Sequence, residues 1–172
     1  MIVYGDTNST LAGAIAGAKL NIPIVHIEAG LRSFNKKMSE EVNRVLTDHV
    51  STILFCPNKN AVKNLNNEGI YQGIINSGDV MEEIFMAIYS KIATIREDPY
   101  AYMTLHRAEN TDIKTILDKR IKQVGEISID IKWPIHPRAK KKINEFGICI
   151  PPNIEIIDLM GYYNNIKYIK NA

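Results

Sequence analysis

The feature that most constrains the fold of this chain is a repeated alternation of short apolar segments with helical segments across residues 1–78. Four apolar segments have the length of a strand: Met1–Gly5, Ile24–Glu28, Thr52–Cys56 and Ile70–Asn76. Helical patterns separate them over Thr10–Leu20, from Ser39 onward, and over Ala61–Asn67. Strands that alternate with helices in this way predict a parallel sheet with helices on both faces.

A second alternation follows Gly78, where the pattern changes. A long amphipathic helix is predicted over Met81–Arg96, with a polar stop at residues 97–99. The later predicted elements are strands at Tyr100–Leu105, Ile129–Ile135 and Ile154–Ile157 and helices at Ile113–Val124, Ala139–Phe146 and the C-terminal end. The predicted fold class is α/β, with two parallel-sheet domains at 1–78 and 79–172. A complete doubly wound domain has roughly five or six strands, so we expect both domains to be incomplete and the chain to be an internal fragment.

Composition and charge exclude several classes of protein. A hydrophobic fraction of 45%, a charged fraction of 23% and a net charge of +2 are ordinary for a globular protein and too balanced for a nucleic-acid-binding surface. The basic run over residues 138–142 is interpreted as a solvated helix start. No apolar run is long enough to span a membrane and no signal peptide is visible, so we expect a cytoplasmic protein with no membrane or nucleic-acid partner.

The two cysteines, Cys56 and Cys149, lie far apart and form no C-x-x-C pair. This spacing indicates neither a zinc site nor a disulfide framework. Both have apolar neighbours in the sequence, and both are predicted to be small core residues.

Residues 24–44, with the sequence IVHIEAGLRSFNKKMSEEVNR, hold the densest group of candidate catalytic residues. Glu28 lies where a strand ends, and Glu40 and Glu41 lie in the first turn of a helix. Parallel strands deliver such side chains to a crevice outside their carboxyl ends, which suggests proton transfer rather than simple binding. His26 lies on the same face of the strand as Glu28, and a core histidine with a satisfied partner is the alternative to a functional one. The P-C-x-x-C of zinc deaminases is missing, so a metal site of that type is rejected.

The loop Gly5–Thr10 follows the first predicted strand. It lacks the lysine of a phosphate loop and the G-x-G-x-x-G pattern of a dinucleotide site. Asp6 either enters the crevice above the sheet or, like Asn8, merely caps the following helix.

Two later strand ends carry histidine and arginine side chains. His106 and Arg107 follow one strand, and His136 and Arg138 follow another at the start of a helix. Both pairs are suited to contact with an anion, since arginine forks onto phosphate and helix N-termini favour negative charge. A structural cap explains His136 and Arg138 equally well.

Taken together, these segments closely resemble the non-hydrolysing UDP-N-acetylglucosamine 2-epimerases. The resemblance rests on the run GDTNSTLAGAIAGAKLNIPIVHIEAGLRSFNKKMSEEVNRVLTDHVSTILFCP and on the motifs SGDVM, TLHRAEN and PIHPR. It implies a glycosyltransferase-B-like architecture, with two Rossmann-like domains and the active site in the cleft between them. Residues 1–78 would be the C-terminal part of the first domain, and residues 79–172 the N-terminal part of the second.

The resemblance also implies a reaction, the interconversion of UDP-N-acetylglucosamine and UDP-N-acetylmannosamine without an added cofactor, in cell-surface polysaccharide biosynthesis. In the mechanism proposed for the family, a base removes the C2 proton as UDP is eliminated, which leaves 2-acetamidoglucal. UDP then adds back while a proton reaches the opposite face. The expected assembly of the full-length protein is a homodimer.

Several residues match functional positions of the family. Asp6, Glu28 and Glu40 match its acid–base carboxylates, without indicating which one is the base. His106 matches its essential histidine near the UDP phosphates. The positions that match substrate-binding residues are Arg107, Glu109, Asn110 and Arg44.

The chain also departs from the family. It lacks the first strand with its G-T-R-P-E-type loop and the D-S-G-G-x-x-E-E segment that holds the uridine and ribose. We therefore expect little activity from the 172-residue chain alone. Two alternatives stay open: a non-catalytic or split-enzyme fragment that binds a nucleotide sugar, and a hydrolysing 2-epimerase that releases UDP.

Overall fold

A computed structural model describes residues 1–95 and 98–172 and divides the chain into two compact units, Met1–Ile84 and Phe85–Ala172. Each unit contains one parallel sheet with helices between its strands. The predicted α/β class with two parallel sheets is confirmed. None of the helices in the described ranges is long and apolar enough to cross a membrane.

The first unit, Met1–Ile84, is built on a four-stranded sheet in the order β1-β2-β3-β4. The strands are β1 (Ile2–Tyr4), β2 (Val25–Ile27), β3 (Ile53–Cys56) and β4 (Ile74–Asn76). The helices are α1 (Asn8–Lys19), α2 (Ser39–Val50) and α3 (Lys59–Asn67), and α4 (Val80–Tyr89) begins in this unit and ends in the next. Its buried apolar side chains are Val3, Ala14, Ile24, Ala29, Leu54, Cys56, Ala61 and Leu65. Because all strands run in one direction, their carboxyl ends lie at the same edge of the sheet.

The second unit, Phe85–Ala172, has a three-stranded sheet in the order β5-β6-β7. Its strands are β5 (Tyr100–Tyr102), β6 (Asp130–Pro134) and β7 (Ile154–Ile157). Its helices are α5 (Ala108–Thr111), α6 (Lys114–Gly125), α7 (Pro137–Phe146) and α8 (Tyr162–Lys170). The core surrounds Trp133 and consists of Leu117, Ile121, Ile131, Ile135, Ala139, Ile143, Ile148 and Ile154. On β5, the ring of Tyr102 stacks on that of Tyr168 with 6.0 Å between centroids.

The helix predicted over Met81–Arg96 is shorter than expected. It ends at Tyr89, and residues 90–95 are not helical. The Tyr89 carbonyl oxygen accepts from the ε-amino group of Lys170 at 2.8 Å and from the Ile92 amide at 3.4 Å, which satisfies this group at the helix end. The predicted helix end at residue 96 and the first residue of the predicted stop at 97–99 lie outside the described residues.

Two predictions about single residues are also corrected. Cys56 is a core residue as predicted, but Cys149 is exposed because it lies in the connection between α7 and β7. The cap of α1 is neither of the two residues proposed from the sequence. Instead, the Thr7 hydroxyl accepts a hydrogen bond from the Thr10 amide at 3.2 Å.

Candidate active site

The carboxyl ends of β1 and β2 bring two candidate carboxylates to one edge of the first sheet. Tyr4 pairs with Ile27 in the parallel register, and the Gly5 amide donates to the Ile27 carbonyl oxygen at 3.1 Å. Asp6 and Glu28 are the next residues, so each begins the turn that leaves its strand. A methyl group on Gly5 would lie 3.2 Å from Glu28 Oε2, which shows how closely this carboxylate approaches the first turn.

Glu28 is half-buried and has a perturbed pKa. Its φ of 75° is left-handed, a conformation that is uncommon for a residue with a side chain and is enriched at functional sites. Burial raises the pKa of Glu28 above its ordinary value, and the charges of Asp6 and Asp79 raise it further. Arg44 and His26 act in the opposite direction without cancelling the effect. A carboxyl group with a raised pKa exchanges its proton at a pH closer to neutral than an ordinary glutamate does.

Arg44, on α2, belongs to the same group of side chains. Its guanidinium forms an ion pair with the Asp6 carboxylate and lies 3.4 Å from Glu41 Oε2. The Arg44 side chain is 15% exposed and that of Asp6 is 33% exposed. Arg44 therefore orients Asp6, a role that the sequence-based prediction of substrate binding does not include.

The two glutamates at the start of α2 have different surroundings. Glu41 is 3% exposed and accepts hydrogen bonds from the Ser33 and Phe34 amides at 2.8 Å each and from the Ser33 hydroxyl at 3.0 Å. Burial acts to raise the pKa of Glu41, but these hydrogen bonds and a nearby arginine hold it below its ordinary value. Glu40 is exposed and accepts a hydrogen bond from the neighbouring serine hydroxyl at 3.1 Å. Glu41 thus holds the loop before α2 in place, and Glu40 is the one of the two that stays a candidate acid–base residue.

Asn43 is a part of the site that the sequence analysis does not identify. It is buried, and its side-chain amide donates to the Asp6 carbonyl oxygen and to Asn8 Oδ1 at 2.9 Å each. It therefore holds the turn after β1 against α2. Nothing local in the sequence marks Asn43, because a polar residue in a helix is usually exposed and its burial appears only in the folded chain.

His26 is fully buried in β2, and both ring nitrogens have partners. Nδ1 lies 2.7 Å from Asp48 Oδ1, and Nε2 lies 2.9 Å from the Gly5 carbonyl oxygen. Asp48 also binds Arg32 at 2.7 Å, and Arg32 pairs with Glu68 at 2.7 Å. In the part of the chain that the structure describes, no three His, Cys, Asp or Glu side chains are grouped so that they could hold a metal ion.

The predicted site residues of the second unit lie in the loop and short helix after β5. His106 and Arg107 are exposed, and Glu109 and Asn110 lie in α5. The Arg107 carbonyl oxygen accepts the Asn110 amide at 2.9 Å, which closes this helical turn. The ring centroid of His106 lies 6.1 Å from that of His136.

His136 and Arg138 have structural contacts at the start of α7. Nδ1 of His136 accepts a hydrogen bond from the Arg138 amide at 3.2 Å, and Pro137 occupies the first helical position. The Arg138 guanidinium binds both oxygens of Asp112, at 3.0 and 2.6 Å, and these hydrogen bonds lower the pKa of Asp112. The guanidinium of Arg138 is thus already paired with a carboxylate. This favours a structural role for His136 and Arg138 over contact with an anion.

The chain is similar over its whole length to proteins described as nucleotide-sugar epimerases. Residues 1–172 match the family described as UDP-N-acetylglucosamine 2-epimerase. A UDP-N-acetylglucosamine 2-epimerase homolog of Methanococcus maripaludis is 46% identical, over 100% of this chain and 52% of that protein. The UDP-2,3-diacetamido-2,3-dideoxy-D-glucuronate 2-epimerase of Pseudomonas aeruginosa is 47% identical, over 100% of this chain and 51% of that protein. The chain therefore spans about half the length of the curated relatives it matches.

Solved structures share its fold. The crystal structure of Methanocaldococcus jannaschii UDP-GlcNAc 2-epimerase in complex with UDP-GlcNAc and UDP matches with a TM-score of 0.76 and 38% identity. The match covers 98% of this chain and 51% of that one. This likeness, together with the two parallel sheets, confirms the glycosyltransferase-B-like class expected from the sequence.

Proposed function

The chain belongs to the UDP-N-acetylglucosamine 2-epimerase family, and we propose that it supplies the proton-transferring residues of an enzyme that interconverts UDP-N-acetylglucosamine and UDP-N-acetylmannosamine. The observation that carries this proposal is the half-buried Glu28, whose pKa is raised by burial and by the neighbouring Asp6 and Asp79. A carboxyl group that removes a weakly acidic proton from carbon needs a raised pKa. Since the chain spans about half the length of its relatives, the proposed activity is that of the full-length protein.

In the proposed reaction a carboxylate removes the C2 proton of the sugar while the C1–O bond to UDP breaks. The electron pair of the C2–H bond becomes the C1–C2 double bond of 2-acetamidoglucal, and UDP leaves with the electrons of the C1–O bond. UDP then adds back to C1 as a proton is delivered to the opposite face of C2. Oxidation states balance over the cycle, so no step in it needs an external oxidant or reductant.

The candidate residues divide into two chemical roles. Asp6, Glu28 and Glu40 are proposed to transfer protons, and Arg44 is proposed to orient Asp6 in addition to contacting substrate. His106 is proposed to stabilise the diphosphate charge that develops as UDP leaves, since cationic donors are most effective where charge accumulates. The same exposed segment supplies the proposed substrate contacts Arg107, Glu109 and Asn110.

The test is the reaction of the full-length protein with UDP-N-acetylglucosamine in heavy water, followed by NMR. We expect UDP-N-acetylmannosamine with deuterium at C2, because the C2 proton is lost to a carboxylate that exchanges with solvent. Epimerisation with protium retained at C2 would contradict the proposal. Free N-acetylmannosamine and UDP as the only products would identify a hydrolysing enzyme instead.

A second candidate substrate is UDP-2,3-diacetamido-2,3-dideoxy-D-glucuronate. It is supported by the Pseudomonas aeruginosa relative named for that sugar, which is as similar to this chain as the relative named for UDP-N-acetylglucosamine, at 47% and 46% identity. The chemistry at C2 is the same for both sugars, which differ at C3 and C6. The ratio of the two kcat/KM values decides between them, and a preference for the glucuronate would assign the second substrate.

We also propose that residues 1–78 and 79–172 are the C-terminal part of a first Rossmann-like domain and the N-terminal part of a second one. The family resemblance further supports a homodimer for the full-length protein. Sedimentation equilibrium tests this assembly, and a mass of one chain would contradict it. The cytoplasmic location expected from the sequence stays a prediction.

A further inference from the structure

A series of charged side chains runs from the end of α3 to the turn after β1. Glu68 binds Arg32 through two contacts of 2.7 Å. Arg32 donates to Asp48 at 2.7 Å, and Asp48 lies 2.7 Å from His26. The series ends where His26 meets the Gly5 carbonyl oxygen at 2.9 Å. The side chains of Arg32, Asp48 and His26 are at most 1% exposed, so their hydrogen bonds must be satisfied within the protein.

The hydrogen-bond partners determine the protonation of His26. A carbonyl oxygen only accepts, so Nε2 must carry a hydrogen to bind Gly5. Asp48 Oδ2 already accepts from the Gly30 amide at 3.1 Å and from Arg32 at 2.7 Å, contacts typical of an ionised carboxylate. An ionised carboxylate also only accepts, so Nδ1 carries a hydrogen too. His26 is then an imidazolium, and the two cations of the series balance its two carboxylates.

Two of the backbone groups bound by this series, at Gly5 and Gly30, belong to the turns that carry the candidate catalytic acids. Gly5, bound by His26, immediately precedes Asp6. Gly30, bound by Asp48, lies two residues after Glu28. Both glycines have left-handed φ values, 67° and 78°, so the chain direction changes sharply at each of them. The distance between Asp6 and Glu28 therefore depends on the hydrogen bonds through His26 and Asp48 that connect the two turns.

We propose that His26 is a positioning residue that, doubly protonated, ties the Gly5 carbonyl oxygen to Asp48 and thereby fixes Asp6 against Glu28. This inference rests on the proposed function, in which Asp6 and Glu28 are two of the acids that act at C2. An imidazole ring suits the task because it presents two N–H donors on opposite sides of one rigid group. The alternative is that His26 only stabilises the core.

The first test is the protonation state of His26, which does not depend on any enzymatic activity. Two-bond nitrogen–proton NMR of the histidine-labelled full-length protein reports both ring nitrogens, with His26→Gln used for assignment. Because both partners of the ring accept hydrogen bonds, we expect two protonated nitrogens at His26. An unprotonated ring nitrogen at His26 would overturn the proposal.

The second test is a pair of substitutions that each keep one hydrogen bond. The amide nitrogen of His26→Asn lies near the position of Nδ1 and faces Asp48, whereas that of His26→Gln reaches the position of Nε2 and faces Gly5. We expect His26→Asn to lower kcat of the full-length protein about 100-fold and His26→Gln only about 10-fold, with KM within about threefold. Glu145→Gln, at an exposed position of α7 away from this series, should leave kcat unchanged.

Thermal unfolding of each variant separates positioning from folding. Equal losses of kcat in the two His26 variants, or losses that follow their Tm values, would overturn the positioning role. If His26→Asn does not fold, the NMR result and kcat of His26→Gln decide. A wild-type protein without epimerase activity would contradict the proposed function, while the NMR result would still confirm or overturn the protonated His26.

Discussion

Glu28 and Glu41 show how local surroundings determine what a glutamate does. Glu28 has a raised pKa, mainly because it is partly buried and also because Asp6 and Asp79 are negatively charged. Burial acts on Glu41 as well, but two backbone amides and the Ser33 hydroxyl bind its carboxylate and lower its pKa. The first group is suited to exchanging protons, and the second to holding a loop.

We predict opposite effects of Glu28→Gln and Glu41→Gln on stability at neutral pH. The folded state binds the Glu28 proton more tightly than the unfolded chain does, so stability falls as the pH rises from the ordinary value of 4.5 through the raised pKa. Glu28→Gln removes this loss and should raise Tm at neutral pH, with little effect in acid. Glu41 contributes while it is ionised, so Glu41→Gln should cost about 1–3 kcal/mol at neutral pH and less as the pH falls through the lowered pKa.

Circular dichroism melts of both variants across this pH range measure these effects against the wild type. A lower Tm for Glu28→Gln at neutral pH, or a cost of Glu41→Gln that persists undiminished in acid, would contradict the two assignments.

The two cysteines should differ in reactivity. Cys56 is fully buried, and its burial together with the charge of Asp48 raises the pKa of the thiol to about 11, whereas Cys149 is exposed. Because the thiolate is the reactive form, we predict that iodoacetamide labels Cys149 alone in the folded chain and both cysteines in denaturant. Mass spectrometry counts the labels, with Cys149→Ser as the control that should take none when folded. Labelling of Cys56 at a similar rate would show that it is not buried.

At the scale of elements, the contact between the turn after β2 and helix α3 depends on Gly30. Its φ is 78°, and a methyl group on its α-carbon would lie 2.5 Å from the Ala61 carbonyl oxygen. The Asn64 side chain donates to the Gly30 carbonyl oxygen at 2.9 Å and holds the turn in this place. A residue with a side chain would meet both a strained backbone and a steric clash.

We predict that Gly30→Ala lowers the free energy of unfolding by more than about 2 kcal/mol and Gly69→Ala by only about 1 kcal/mol. Gly69 is the matched control, since its φ is 84° but no atom lies within 4 Å of an added methyl group. The comparison therefore separates the clash with α3 from the strain of the backbone. Urea unfolding measures both, and equal costs would mean that α3 moves aside freely.

The order of the elements could be predicted because apolar strands and helical periodicity are local properties. The starts of α2 at Ser39 and of β7 at Ile154 agree with the sequence-based prediction. The end of α4 could not be predicted, because the Tyr89 carbonyl oxygen is bound by Lys170, 81 residues away along the chain. No local sequence pattern predicts a contact between residues so far apart.

The same distinction applies to the candidate site. Asp6 and Glu28 could be predicted as site residues, because each of them lies at the end of a predicted strand. Asn43 and Asp48 do not, because their partners Asp6 and His26 lie 37 and 22 residues away. A polar residue in a helix is usually exposed, so burial of these two becomes visible only in the folded chain.

At the scale of the whole molecule, the candidate residues are divided between two units, each with its own sheet and core. The first unit carries Asp6, Glu28 and Glu40, and the second carries His106 and Arg107. Acid–base chemistry and diphosphate binding are thus proposed for separate α/β units. Because the chain spans about half the length of its relatives, the full-length protein is where the reaction has to be measured.

The most direct test of the central claim is the rate at which the full-length protein introduces solvent deuterium at C2 of UDP-N-acetylglucosamine. We predict rapid incorporation by the wild type and a rate about 10²–10⁴-fold lower in Glu28→Gln, because a group that transfers the C2 proton is removed. Glu145→Gln, which changes an exposed glutamate on α7 with a side-chain exposure of 41%, should retain the wild-type rate. Deuterium incorporation by Glu28→Gln at the wild-type rate would contradict the claim.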